Sequence, residues 1–244
     1  MGDSMSKYKH LLFDLDNTLV DDNKNRKYAI SKVLDYLNYN YTEETLNSFI
    51  LSDNEYWKKM GRREFDYMRP SGMDAKETFK WAGGNRIRYF LKDLSFNKCV
   101  ELNNLYMEYM KEKVFPIEGS KETLSELKKM GYLLYIITNG PEKAAFIKRD
   151  SISKELFENI IASENIGYMK PHKEFYDAMY KKFNIYSKEE MLIIGDELDK
   201  DILGGNNENI DTVWLNRYNH INDNKQMPTY EIKDIKELNK ILKK

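Results

Sequence analysis

Five short apolar runs, Lys9 to Phe13, Tyr132 to Ile137, Ile160 to Ala162, Met191 to Ile194 and Thr212 to Leu215, punctuate the chain. Each is rich in Ile, Leu, Val or Tyr, the composition of strands buried on both faces of a parallel sheet. Between them, apolar residues recur at helical spacing: Leu124, Leu127 and Met130 at threes, and Phe175, Met179 and Phe183 at fours. The alternation of strand and helix from residue 114 onward predicts an α/β fold, a Rossmann-like doubly wound parallel sheet with helices on both faces.

The first strand stands far upstream of the second. The roughly ninety residues between them, from Asp21 to Lys113, hold no comparable strand, but Ile30, Val33, Leu34 and Leu37, and again Leu102, Leu105 and Tyr109, keep helical spacing. Residues 21–113 are therefore expected to form an inserted all-helical cap, and residues 5–20 with 114–244 the core. An insert that leaves the sheet after the first strand should sit above the strand ends as a lid, hinged at Val20 to Asp22 and Lys113 to Pro116. Asn216 to Asn224 reads as a loop, and Asp234 with Glu237 as a capping pattern for the last helix.

Composition narrows the partners. Across 244 residues, 39 Lys and Arg stand against 40 Asp and Glu, so no global field recruits a nucleic acid polymer or an anionic membrane. The single cysteine, Cys99, excludes an intramolecular disulfide and a multi-cysteine zinc site, and reads as helix core. The N-terminal region reaches only Leu11-Leu12-Phe13 before an acid, too short for a signal peptide or a spanning helix, and a cytoplasmic protein is expected. Met1-Gly2-Asp3-Ser4 ahead of Met5 reads as a leader and is left out of the fold reading.

The chemistry gathers where the strands end. The first run delivers Asp14, Asp16 and Thr18 to one turn, at the edge where ligands of open parallel sheets bind. Two acids one residue apart cannot both be core residues, because a buried carboxylate is costly unless paired or bound to a cation. A helix-capping acidic turn is the alternative. The second strand ends at Thr138-Asn139-Gly140-Pro141, whose hydroxyl, amide and backbone donors could hold an oxyanion, although such residues also stabilise ordinary turns. Lys170 precedes Pro171, which is expected to open the helix containing Phe175 and hold the ammonium near the site; in isolation, Lys-Pro is a surface feature. After the fourth strand, Asp196, Glu197, Asp199 and Asp201 crowd four acids into six residues. That crowding calls for a cation, and Mg2+ suits hard oxygen ligands that also meet a substrate phosphate, whereas zinc lacks cysteine or histidine nearby. Glu197 and Asp199 fit a solvated helix start, leaving Asp196 and Asp201 as the functional pair.

Together, Asp14-Leu-Asp16-Asn-Thr18, Thr138-Asn139-Gly140, Lys170-Pro171 and Gly195-Asp196 through Asp201 resemble the four ordered motifs of the haloacid dehalogenase-like hydrolase superfamily, across Lys9 to Leu215. The tail Asp201-Ile-Leu-Gly204-Gly205-Asn206 with Asp211-Thr212-Val213-Trp214-Leu215-Asn216 is similar to bacterial pyrimidine nucleotidases of that superfamily. Two departures stand out: Glu208 and Asn209 replace a small residue and glycine, and the cap carries a long loop from Gly61 to Gly84. Asn209 tolerates the left-handed geometry a helix end requires.

The resemblance implies a magnesium-dependent phosphatase acting on small phosphate monoesters such as nucleoside 5'-monophosphates. It makes Asp14 the nucleophile that becomes an aspartyl-phosphate, and Asp16 the acid and then the base. The metal ligands are Asp14, Asp196 and the backbone carbonyl of Asp16, with Asp201 orienting the metal's water. Thr138 and Asn139 hold the phosphate oxygens, and Lys170 steadies Asp14 and the transferred group. Trp57, Phe65, Arg86, Arg88 and Tyr89 are conceivable base or ribose contacts, with packing the competing role for each. Asp16 disfavours a dehalogenase, which needs no acid for its leaving group. A phosphonatase would need a cap lysine; a sugar phosphomutase or sugar-phosphate phosphatase shares the core steps; a phosphate-binding regulatory protein would lack turnover.

Overall fold

Leu11, Leu12 and Phe13 are fully buried and form, with His10, the first strand, β1 (His10–Phe13). The computed structural model describes residues 6–59, 75–223 and 225–242. Residues 1–5, and 60–74 with the start of the expected Gly61 loop and Phe65, lie outside the described residues. By contact the chain divides into Met1–Asp21 with Pro116–Lys244, and Asp22–Phe115.

In the first unit, β2 (Leu133–Thr138) and β4 (Met191–Gly195) flank β1 in parallel, with Phe13 level with Ile136 on one side and Ile194 on the other. Strands β3 (Phe157–Ala162), β5 (Asp211–Leu215) and β6 (Tyr230–Ile232) complete a parallel sheet, ordered β3-β2-β1-β4-β5-β6 among the described residues. This is the doubly wound order, whose winding reverses beside β1 and opens a crevice at the carboxyl ends of β1 and β4. Asp14 and Asp196 are the residues that follow those two ends.

The sequence expectations for this sheet hold, with three changes. β6 was not expected; it is three residues long, too short to show a period. The helix after β2 begins at Glu142 with Pro141 as its N-cap, and the helix near Lys170 begins at Lys173 with His172 as N-cap, two residues beyond Pro171. The backbone donors expected ahead of the first of these helices are partly engaged: Gly140 N–H donates to Ser163 Oγ at 2.9 Å and Glu142 N–H to Glu164 Oε2 at 2.9 Å. The capping box of Asp234 and Glu237 is present, and Asn209 closes its helix with φ 56°.

The second unit is helical among its described residues: α1 (Asp22–Tyr36), α2 (Glu43–Lys59), α3 (Ala75–Phe90) and α4 (Phe96–Glu112). Ile30, Val33, Leu34, Phe49, Ile87, Leu102 and Tyr106 make its core, and Cys99 is buried within it. Residues 75–84, expected in a loop, belong to α3. The pair Gly83-Gly84 masks the helical pattern there for a packing reason: a Cβ on Gly83 would lie 2.3 Å from Asn103 Nδ2, and one on Gly84 2.6 Å from Val100 Cγ2, so both glycines let α3 approach α4. Arg86 packs against the Tyr106 ring and donates to Asn103 Oδ1 at 2.7 Å, and Tyr56 lies between Trp57 and Tyr89, so these side chains are part of the packing; Arg88 is exposed. No helix among the described residues is long and apolar enough to cross a membrane.

Candidate active site

The Asp14 backbone extends β1 by one more rung, its N–H donating to the Ile194 carbonyl at 2.8 Å, so its side chain leaves the sheet beside the end of β4. The chain then folds tightly: Asn17 takes a left-handed φ of 60°, its N–H donates to Val20 O at 2.7 Å, and Val20 N–H returns to Leu15 O at 3.0 Å. Asparagine tolerates that conformation where most residues do not. The turn presents Thr18, whose hydroxyl donates to Asp196 Oδ1 at 3.4 Å.

Lys170 is the hub. Its Nζ donates to Asp14 Oδ1 at 2.7 Å, Asp201 Oδ1 at 2.7 Å and the Ile137 carbonyl at 2.8 Å. An ammonium has three donors, so all three are engaged within the protein. Direct donation to a phosphate, expected of Lys170, would require one of these bonds to be exchanged. The lysine is only 2% exposed, and a cation so buried is tolerable only because two carboxylates and a carbonyl enclose it. Burial opposes its charge, but Asp14 and Asp201 outweigh that and hold its pKa above the ordinary lysine value.

Asn139 orients this lysine from behind. Its Nδ2 donates to the Lys170 carbonyl at 3.1 Å, and the Lys170 N–H donates to Asn139 Oδ1 at 2.8 Å. The side-chain amide expected to face a phosphate is thus joined to the backbone that presents Lys170. Thr138, buried at the end of β2, follows the carbonyl that receives the Lys170 ammonium, which puts it at the same sheet edge.

Asp201 lies under the end of β4. Residues Leu198–Ile202 make a wide π-type turn in which the Glu197 carbonyl accepts from Asp201 N–H at 2.9 Å and Ile202 N–H at 3.3 Å. The turn brings Asp201 back to Gly195, where a Cβ would lie 2.3 Å from its Cγ, so only glycine fits at this strand end. Besides Lys170, the Asp201 carboxylate accepts from Glu197 N–H at 3.1 Å. Glu197 itself pairs with Lys200, as a solvated side chain at a helix start does.

Oxygens of Asp14, Asp196 and Asp201 all lie within 4.8 Å of one another. Burial pushes the Asp14 carboxyl up to about 6 against the pull of Lys170. Burial, then Asp14, Glu197 and Asp201, hold Asp196 well above the usual carboxylate range. Carboxylates crowded this closely hold protons or a cation, and the donor set is one of hard oxygens. With one oxygen on Lys170 and one on a backbone N–H, Asp201 is suited to holding a cation's water more than the cation.

Asp16 Oδ1 is ion-paired with Lys148 on the helix α6 (Glu142–Ile152), which follows α5 (Ser120–Lys129); the sequence reading missed this lysine. The signal was present: Ala145, Lys148 and Ile152 form the buried face of that helix, and a lysine on an apolar stripe needs a partner.

The sequence profile described as haloacid dehalogenase-like hydrolase matches residues 11–215. The chain is 28% identical over 235 residues to a pyrimidine 5'-nucleotidase, PynA, of Streptococcus pneumoniae, covering 95% of this chain and 93% of that one. It is 29% identical to a glyceraldehyde 3-phosphate phosphatase of Pyrococcus furiosus, covering 98% and 95%. Among solved structures, the magnesium-bound HAD-hydrolase YfnB of Bacillus subtilis superposes with a TM-score of 0.84 at 28% identity, covering 98% of this chain and 100% of that one.

Proposed function

Because the chain belongs to the haloacid dehalogenase-like hydrolases and is a phosphatase of that family, we propose that it hydrolyses nucleoside 5'-monophosphates through a phosphorylated Asp14. The observation that carries this reading is the Asp14 carboxylate, 2.7 Å from the buried Lys170 ammonium and within 4.8 Å of Asp196 and Asp201 oxygens, at the open end of the central strand. The Streptococcus relative supports the nucleotide choice. The Pyrococcus relative supports a second reading, a sugar-phosphate phosphatase with the same core chemistry.

The hard-oxygen donor set fits Mg2+, which Asp14, Asp196 and the Asp16 carbonyl would hold, with Asp201 placed to accept from a water the ion carries. Bound there, the ion would offset the mutual repulsion of carboxylate and phosphate. In the first half-reaction an Asp14 oxygen bonds to phosphorus, the bond from phosphorus to the ester oxygen breaks, and Asp16 gives a proton to the departing alkoxide. In the second, Asp16 takes a proton from water, whose oxygen bonds to phosphorus as the acyl-phosphate bond breaks. Asp14 is restored, and monoester and water have become alcohol and inorganic phosphate. Thr138 and the backbone of Asn139 bind phosphate oxygens, while Lys170 keeps Asp14 aimed and balances its charge. We assign the choice of alcohol half to the helical unit inserted after the first motif.

The test is phosphate release from a panel of nucleoside monophosphates and sugar phosphates with and without Mg2+. Metal-dependent release favouring pyrimidine nucleoside monophosphates supports the reading; preference for triose or other sugar phosphates selects the second; no release from any of them refutes both.

A further inference from the structure

Lys148 is 8% exposed, and its ammonium is ion-paired with Asp16 from 132 positions along the chain. It occupies the buried stripe of α6 between Ala145 and Ile152, where an apolar side chain would pack without any charge to compensate. A cation is retained in such a place only with a charged partner held in fixed geometry. Asp16 is such a partner, and it is the residue to which the proposed mechanism gives both proton transfers; its side chain keeps 35% of its surface open while one oxygen is docked.

We propose that Lys148 is a positioning residue for phosphate-ester cleavage: it docks the Asp16 carboxyl and thereby fixes the direction from which that group meets the leaving oxygen. The inference rests on the phosphatase reading above, and it extends the machinery to a helix that none of the four motifs includes. Lys148 itself touches neither phosphate nor metal in this role. It differs from Lys170, which is enclosed by the nucleophile and Asp201, because its only proposed route to the reaction runs through Asp16.

A leaving-group comparison separates this role from a structural one. An alkyl monophosphate needs a proton delivered to its departing oxygen, whereas para-nitrophenyl phosphate expels a stable phenolate without one. In Lys148→Met, kcat/KM for the alkyl substrate should fall roughly 10- to 100-fold, the scale seen when a supporting hydrogen-bond partner is lost. The value for para-nitrophenyl phosphate should stay close to that of the wild type. Lys148→Arg should restore most of the alkyl activity. In an Asp16→Asn background, Lys148→Met should add no further loss, since a residue that acts through Asp16 has nothing left to act through. Where Lys148→Met does not fold, Lys148→Gln carries the same comparison. Equal losses on both substrates, an unchanged alkyl rate, or an additive loss in the double variant would each overturn the proposal. The underlying phosphatase reading fails separately, if Asp14→Asn retains turnover.

Discussion

The Lys170 ammonium donates to Asp14 Oδ1 at 2.7 Å, and both residues are buried. Removing one member of a buried pair leaves the other charge without compensation, which typically costs about 3–5 kcal/mol. Here the ammonium serves two carboxylates, so Lys170→Met should lower stability by at least that order at pH 7. Chemical denaturation of the metal-free protein measures it. The deficit should shrink as pH falls and Asp14, left without its ammonium, takes up a proton; an equal deficit at all pH values would show that packing, and not charge, is what Lys170 supplies.

Asp196 faces Asp14, Glu197 and Asp201, and its pKa is raised by burial and by these like charges. Asp196→Asn keeps the shape and removes one of the repelling charges. The metal-free variant should therefore melt at a higher temperature than the wild type, while Mg2+ should no longer raise its melting temperature. A variant that is less stable without metal, or that still responds fully to Mg2+, would remove Asp196 from the proposed ligand set.

The Asp14 carboxyl, pushed up to about 6 by burial, sets a pH dependence with a definite sign. Between about pH 4, the unfolded carboxylate value, and pH 6, folded Asp14 holds a proton that the unfolded chain has released. Its contribution to stability is complete below pH 4 and is lost as pH rises through 6. Asp14→Asn should flatten that part of the stability profile of the metal-free protein. Mg2+ affinity should fall below pH 6, because the ion then displaces a proton; titration calorimetry in buffers of different ionisation heat would detect its release.

The Tyr176 hydroxyl is buried against Gly204, where a Cβ would lie 2.0 Å from it, and it has no hydrogen-bond partner among the described residues. An unsatisfied buried polar group costs about 1–3 kcal/mol. Tyr176→Phe should thus raise the melting temperature and leave kcat unchanged. A loss of stability would mean that the hydroxyl has a bound partner.

Strand ends were the readable part of this chain. Asp14, Thr138, Lys170 and Asp196 each follow an apolar run or precede a proline, so sequence position alone brings them to one sheet edge. What distinguishes their roles was not readable, because it depends on long-range hydrogen bonds. Asn139 holds the Lys170 backbone, a pairing across 31 positions that no local pattern encodes. Lys148 was hidden among 39 Lys and Arg, although its place on the stripe of Ala145 and Ile152 marked it. In α3, Gly83 and Gly84 read as loop residues because their purpose, room for Asn103 and Val100, lies on another helix. β6 is too short for its three residues to show a pattern.

Acid quenching of the enzyme during turnover of a phosphorus-labelled monoester, with one portion peptide-mapped for the label and a second portion reduced with borohydride before mapping, tests the covalent role of Asp14. A base-labile label should appear on the peptide containing Asp14 at a rate no slower than turnover, and reduction should convert that one aspartate to homoserine. Sustained turnover with no label on Asp14, or with the label on another residue, would contradict the mechanism.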